Sequence, residues 1–488
     1  MRKEEKALIV IFGGTGDLAQ RKLYPSLFNL YKRGFLKDNF AVIGTARRPW
    51  SDDYYREIII NAVGDAEDIN GQATDFASHF YYQSHNVNDT EHYATLKQLA
   101  DKLDDKYQIG GNRVFYLAMS PSFFGTIAAH LKSQNLKTTT GYNRVIVEKP
   151  FGHDYESAMV LNEEIAQAFP EEEVYRIDHY LGKEMVQNIP AIRFGNNIFN
   201  ALWNNRYISN IQVTLSESLG VEERGGYYDT AGALRDMIQN HTLQIVSLLT
   251  MSAPVSFTDT DIRNAKINAL KSLRVYKPEE VAQNFVRGQY GPGSDKPGYR
   301  QEDMVDADSM TETFVAGKLE VNTMDMAGVP IYVRTGKRMR EKATRVDVVF
   351  KQVPNNVFGE GDNTLRHDVL HIMIDPEPKL SLQLNSKTIG HSYEYDTNSL
   401  NLNYSVPAEQ RANIPEAYEK LILDVLQGKA SNFASSKELE YSWKFIDSVR
   451  QAWDKNIDDM IFPNYSCGSM GPKAADALLE KDGNHWEF

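Results

Sequence analysis

The chain has 488 residues, 42% of them hydrophobic and 24% charged, with 53 Lys and Arg against 66 Asp and Glu. That length predicts about two to four compact units, and the composition excludes a disordered or fibrous chain. A formal net charge of −13 removes the field on which nucleic-acid or anionic-lipid partners depend, so any anionic ligand must be met by local clusters. The single cysteine, Cys467, rules out an intrachain disulfide and a thiolate-built metal site, and points to a reducing compartment. The start is basic, Met1-Arg2-Lys3, but the apolar run Ala7 to Phe12 is too short for a signal-peptide core. No stretch approaches the ~18 apolar residues of a membrane span. A cytoplasmic location is expected.

In chain order, Ala7-Leu8-Ile9-Val10-Ile11-Phe12 is a continuous apolar run that predicts a strand buried on both faces, as in a parallel sheet. Asp17 to Arg33 follows, with Leu23, Leu27, Leu30 and Tyr31 at helical spacing. Pro25 within it predicts either a kink or a short first helix restarted near the proline. Phe40 to Thr45, Arg113 to Met119 and Arg144 to Val147 supply further strands, and Pro121 to Gln134 and Asp154 to Phe169 read as helices. This alternation predicts a Rossmann-like, doubly wound parallel sheet in an α/β domain, here 1–178.

Beyond it the rhythm changes. A helical stretch from Gly182 precedes strand patterns at Ile208 to Ser216, Arg345 to Phe350, Val369 to Ile374 and Leu380 to Leu384. These predict a larger α+β domain, 179–488, with a mostly antiparallel sheet. Gly288 to Pro297, with four Gly and two Pro, reads as a long surface loop.

Chemistry-bearing segments fall at telling places. Gly13-Gly14-Thr15-Gly16-Asp17-Leu18-Ala19 contains G-x-G-x-x-A directly after the first strand, where glycines permit a tight turn and a helix N-terminus receives a pyrophosphate. After the second strand come Arg47 and Arg48, where an NAD site would carry Asp or Glu; a guanidinium suits the 2′-phosphate of NADP. Glu148-Lys149-Pro150 ends the fourth predicted strand, so Lys149 can steady a cofactor or substrate oxygen, and Pro150 suits a cis bond. Each of these also has a plain alternative as turn, solvated surface or loop punctuation.

Arg176 to Lys183 packs Asp178, His179, Tyr180 and Lys183 together at the predicted domain junction. It suits either a charged seam or a site. In Asp229 to His241, Leu234, Ile238 and Leu243 form a buried stripe, and α-helical geometry sets Asp236 and His241 about 140° apart. Taken alone, such a His is more often structural than catalytic. Arg334 to Lys342 is the densest basic segment and could be a solvated loop or a cationic lip. His367 and His371 have i, i+4 spacing, but no Glu follows His367, and on a strand residues four apart are separated by some 13 Å, which argues against a shared metal.

Together, G-G-T-G-D-L-A-Q-R-K-L-Y-P, E-K-P-F-G, R-I-D-H-Y-L-G-K-E, G-Y-Y-D-T-A-G-A-L-R-D-M-I-Q-N-H and V-R-T-G-K-R resemble the glucose-6-phosphate 1-dehydrogenases, particularly those of heterofermentative lactic acid bacteria. The resemblance spans nearly the whole chain. It implies oxidation of glucose 6-phosphate to 6-phosphogluconolactone, the first step of the oxidative pentose phosphate pathway, by a homodimer joined through the large sheet. In that light His241 is the general base and Asp178 its partner, with no metal. His179, Tyr180 and Lys183 match residues that hold the sugar phosphate, and Glu217, Asp236, Lys337 and Lys342 match further substrate contacts. Gly13, Gly14, Thr15, Gly16, Asp17, Leu18, Lys22, Arg47 and Lys149 lie on the cofactor side, the role of Lys22 staying open.

Two departures stand out. Arg48 occupies a position at which related enzymes vary, leaving the balance of NADP against NAD open, and Pro190 predicts a kink in the helix after Lys183. Three other classes are separable by experiment: a sugar dehydrogenase using Lys149 as acid/base, a non-catalytic NADP-binding sensor, and a structural protein.

Overall fold

The computed structural model describes residues 4–64, 71–293, 295–358, 365–391, 394–403, 415–456 and 460–488, so the basic start at residues 1–3 lies outside the described residues. The chain divides into two compact units. The first comprises Met1–Gly182, Thr258–Arg263 and Ile414–Glu440, the second Lys183–Phe257, Asn264–Asn413 and Tyr441–Phe488.

In the first unit, β1 (Ala7–Phe12), β2 (Phe40–Ala46), β3 (Phe80–Ser84), β4 (Arg113–Leu117), β5 (Asn143–Val147) and β6 (Val174–Arg176) form one parallel sheet in the order β3-β2-β1-β4-β5-β6. The order reverses between β1 and β4, the switch point at which ligands sit in doubly wound sheets. Every residue of central β1 is buried, which is why its sequence is an unbroken apolar run. The sequence pattern indicates four of these strands; β6, only three residues long, is too short to show a period. After β1 a π-helical stretch, Ala19–Leu23, passes into an α-helix, Tyr24–Lys32, with Pro25 in its first turn. Leu23 and Tyr24 both keep right-handed helical geometry, so the chain stays helical and passes from π to α winding one residue before Pro25, which has no N–H to donate to the preceding turn.

The helix Ala417–Gln427 belongs to this unit although it lies far away in sequence. Its Leu421, Ile422, Val425 and Leu426 complete a core with Ile9, Ile11, Leu27 and Val114. Gly428, at φ 75°, ends it in a left-handed cap.

The second unit holds an eight-stranded sheet of β7 (Ile208–Ser216), β8 (Phe285–Gly288), β9 (Phe314–Leu319), β10 (Ile331–Gly336), β11 (Ala343–Phe350), β12 (Val369–Asp375), β13 (Lys379–Lys387) and β14 (Tyr395–Asn403), ordered β14-β13-β12-β11-β7-β10-β9-β8. Among the described strands of this sheet, β7 and β10 are the pair that run parallel, and the other neighbours are antiparallel. The helix Glu184–Gly195 continues through Pro190. The expected surface loop from Gly288 needs correction: Gly288 to Gly291 are buried, because Tyr290 packs in a core with Tyr299, Phe314 and Tyr465. The chain turns outward only from Pro292, and residue 294 lies outside the described residues. Among the described residues no helix is long and apolar enough to cross a membrane.

Candidate active site

The glycine turn leaves β1 at the switch point. Gly13 takes φ 97°, and a Cβ there would lie 2.2 Å from the Ala118 carbonyl oxygen. A Cβ on Gly14 would lie 2.9 Å from Gly44 Cα. Both positions therefore require glycine. The Gly13 and Gly14 N–H groups donate to Thr45 O at 2.9 and 3.1 Å. The buried Tyr24 hydroxyl donates to Gly14 O and shares a 2.7 Å hydrogen bond with the Tyr55 hydroxyl. Because a trans peptide sets C=O and N–H in opposite directions, pinning Gly14 O toward Tyr24 turns the Thr15 N–H away from it. A glycine cradle at a helix start fits a dinucleotide pyrophosphate.

Other predicted cofactor residues lie around this end of the sheet. Thr15, Gly16 and Leu18 are half-buried. Exposed Asp17 pairs with Arg21 at 2.6 Å, and Lys22 pairs with Glu416 at 3.5 Å. Arg47 is exposed just after β2, while the Arg48 guanidinium lies 5.5 Å from the centroid of the Trp50 ring. Lys149 follows β5 and is joined to Pro150 by a cis bond.

Beside it, Glu148 is buried and accepts a 2.6 Å hydrogen bond from Tyr116. Burial pushes its carboxyl up to about 7, against the opposing pull of Tyr116, Lys149 and Tyr418. The parallel neighbour β6 delivers Asp178, His179 and Tyr180 at the same sheet end. Asp178, 1% exposed, accepts from the Tyr180 N–H at 3.0 Å. The His179 ring lies parallel to that of Tyr418, 6.4 Å between centroids, and Tyr418 also hydrogen-bonds Glu148.

In the second unit, sheet topology gathers the predicted substrate residues. The parallel register pairs Gly336 with Ser216, so Glu217 and Lys337 leave adjacent strands side by side, and their side chains meet at 2.5 Å. Antiparallel β11 begins at Ala343 opposite Ser216, and β12 ends with Asp375 opposite Thr344. Asp375 thereby receives both Lys342, at 3.0 Å, and Lys183, at 3.4 Å. Burial opposes its ionisation, but the hydrogen bonds and charges of the two lysines hold it below the usual carboxylate range. Sequence reasoning missed Asp375, since no local pattern shows that β12 ends beside β11.

The segment with Asp236 and His241 corrects the expected geometry. Leu234–Thr242 is a π-helix, whose i→i+5 hydrogen bonding makes residues five apart neighbours one turn along, rather than 140° apart. Asp236 is 5% exposed and His241 1%. Tyr227 hydrogen-bonds Asp236; burial and then the Asp236 charge push its phenol up to about 12, keeping it a donor. The stripe of Leu234, Ile238 and Leu243 is fully buried, as its spacing implies. His367 Nδ1 lies 2.6 Å from Phe350 O and His371 Nδ1 2.6 Å from Asp347, so each imidazole has its own protein partner.

A glycine cradle at the switch point of a doubly wound sheet defines an NAD(P)-binding Rossmann protein, here carrying a second unit with clustered lysines, carboxylates and a buried histidine. Residues 10–188 match the glucose-6-phosphate dehydrogenase NAD binding domain, and residues 190–487 the C-terminal domain of the same family. The chain is 50% identical over 488 residues to a Bacillus subtilis protein called glucose-6-phosphate 1-dehydrogenase, covering 99% of each. It is 49% identical to one of the same name from Leuconostoc mesenteroides, covering 100% of each. A solved glucose-6-phosphate dehydrogenase, described as in complex with its substrate glucose 6-phosphate, superposes with a TM-score of 0.91 at 36% identity, covering 100% of both chains. The chain belongs to the glucose-6-phosphate dehydrogenase family.

Proposed function

We propose that this protein oxidises D-glucose 6-phosphate at the anomeric carbon to 6-phospho-D-glucono-1,5-lactone, with NADP as the preferred cofactor and NAD as a possible substitute. The observation that carries the reading is the gathering of Lys183 and Lys342 on Asp375 beside the Glu217–Lys337 pair, in a chain of this family. Two ammonium groups held by one carboxylate suit a dianionic phosphate, which attracts both in a site where screening is limited.

His241 takes the proton from the anomeric hydroxyl, a contribution of roughly 10²- to 10⁴-fold. Asp178 orients the imidazole and stabilises its protonated form. Bound NADP supplies the acceptor for the hydride that leaves the sugar carbon. His179, Tyr180, Lys183 and Lys342 hold the phosphate, while Glu217 and Asp236 accept hydrogen bonds from sugar hydroxyls, with Lys337 beside Glu217. Gly13 to Leu18 cradle the pyrophosphate, Arg47 meets the 2′-phosphate, and Lys149 borders the reacting end. Lys22 stays near the cofactor with its role open.

Cofactor binding is assigned to 1–178 and substrate binding and dimerisation to 179–488, apart from residues 258–263 and 414–440, which belong to the first compact unit. A homodimer through the large sheet is supported by its open apolar groove of Phe199, Leu370, Leu380, Leu382, Leu400 and Leu402, where Leu400 and Leu402 are 65% and 56% exposed. A cytoplasmic location fits the cysteine usage.

The deciding experiment measures NADPH formation with glucose 6-phosphate and with glucose. Turnover strongly favouring the phosphate is expected; equal specificity constants would remove the phosphate-site assignment. Turnover with neither would favour a binding-only role.

A further inference from the structure

The π-helix Leu234–Thr242 poses a physical question, because i→i+5 winding is rare and usually limited to a single turn. Its start is held by one residue. Glu312, which is completely buried two residues before β9, accepts the Ala233 N–H on its backbone oxygen at 2.9 Å and the Leu234 N–H on Oε1 at 3.2 Å. Its Oε2 accepts a 3.0 Å hydrogen bond from Arg450. A carboxylate at a helix N-terminus is favoured by the helix dipole, and the paired guanidinium offsets the cost of burying that charge.

Gly232 makes the approach possible. It interrupts the helix Gly225–Ala233 with φ 71° and ψ 169°, and a Cβ there would lie 2.4 Å from Glu312 Oε1. The chain therefore breaks at Gly232, has its next two amides taken by Glu312, and resumes in π geometry. Asp236 and His241 then stand one turn apart.

We propose that Glu312 is a positioning residue for the reaction: by holding the Ala233 and Leu234 amides, it sets the register that carries Asp236 and His241 to one face. This rests on the reading of His241 as the base and Asp236 as a sugar contact. Glu312 is completely buried and acts through the helix start.

The test compares Glu312→Ala, Glu312→Gln and Glu312→Asp with wild type and His241→Asn, measuring kcat and the KM values for glucose 6-phosphate and NADP. A misplacement of about 1 Å costs on the order of 100-fold, so Glu312→Ala should lose about that much kcat while the NADP KM stays within about twofold. Glu312→Gln keeps one acceptor oxygen of the same reach for the Leu234 N–H but sets its NH2 against the Arg450 guanidinium, so it should recover part of the lost kcat, whereas Glu312→Asp keeps the charge but not the reach and should resemble the alanine variant. If the alanine variant does not fold, the glutamine and aspartate variants decide the matter by the same comparison. Near wild-type kcat in the variants that lose reach, with His241→Asn inactive, would overturn the positioning role alone. A fully active His241→Asn would instead overturn the base assignment on which it rests.

Discussion

The Tyr116 hydroxyl donates to Glu148 at 2.6 Å, joining the C-terminal ends of β4 and β5 through a buried carboxyl group. Burial raises that group from 4.5 to about 7, so its ionisation costs folding free energy. A carboxyl raised in the folded state contributes stability that is fully present below 4.5 and is lost as pH rises through about 7. Urea unfolding of wild type and Glu148→Gln should therefore diverge with pH, the variant gaining up to about 3 kcal/mol relative to wild type between about pH 5 and about pH 8. A difference that stays constant across that range would contradict the placement of Glu148.

Tyr24 concerns the cofactor rather than stability alone. Replacing it with Phe removes the donor that holds Gly14 O and the partner of the Tyr55 hydroxyl. Loss of such a buried hydrogen bond costs about 1–3 kcal/mol, and a released Gly14 peptide no longer fixes the Thr15 N–H. The expected outcome is an NADP KM raised by roughly tenfold with the glucose 6-phosphate KM little changed. A parallel rise in both constants would argue against a local effect on the glycine turn.

Arg47 separates the two cofactors. In Arg47→Ala the loss for NADP should exceed that for NAD by on the order of 1.5–3 kcal/mol, since only NADP carries the 2′-phosphate that a guanidinium pairs with. Arg48, whose guanidinium lies over Trp50 at 5.5 Å, is the neighbouring cation that can soften the effect. Titration of each cofactor against the variant measures both affinities, and equal losses would exclude a 2′-phosphate contact.

For His241, Asn preserves shape but cannot accept a proton. His241→Asn should bind glucose 6-phosphate nearly normally and lose at least about 100-fold in kcat. Asp178→Asn should lose less, because the base remains while its orienting charge is gone. Steady-state kinetics on the three enzymes tests this, and a His241→Asn enzyme turning over at the wild-type rate is incompatible with the mechanism.

Local pattern determined much of this protein. The unbroken apolar run of β1, the glycines after it and the alternation in β7 are visible because each depends on neighbours within a few residues. Most of the proposed site residues lie in short motifs that resemble those of the family and are visible locally for the same reason, whereas Glu217 lies in none of them. Tertiary structure alone decided how they meet. Asp375 joins Lys183 and Lys342 because β12 ends beside the start of β11, and strand register is settled by pairing across long sequence distances. Helix Ala417–Gln427 enters the first unit's core with an apolar stripe that fits any hydrophobic face. Most tellingly, Leu234 and Ile238 suit an α-helix as well as a π-helix. The winding that makes Asp236 and His241 neighbours depends on amides captured by Glu312, 78 residues beyond Leu234, a contact that no periodicity within the helix can encode.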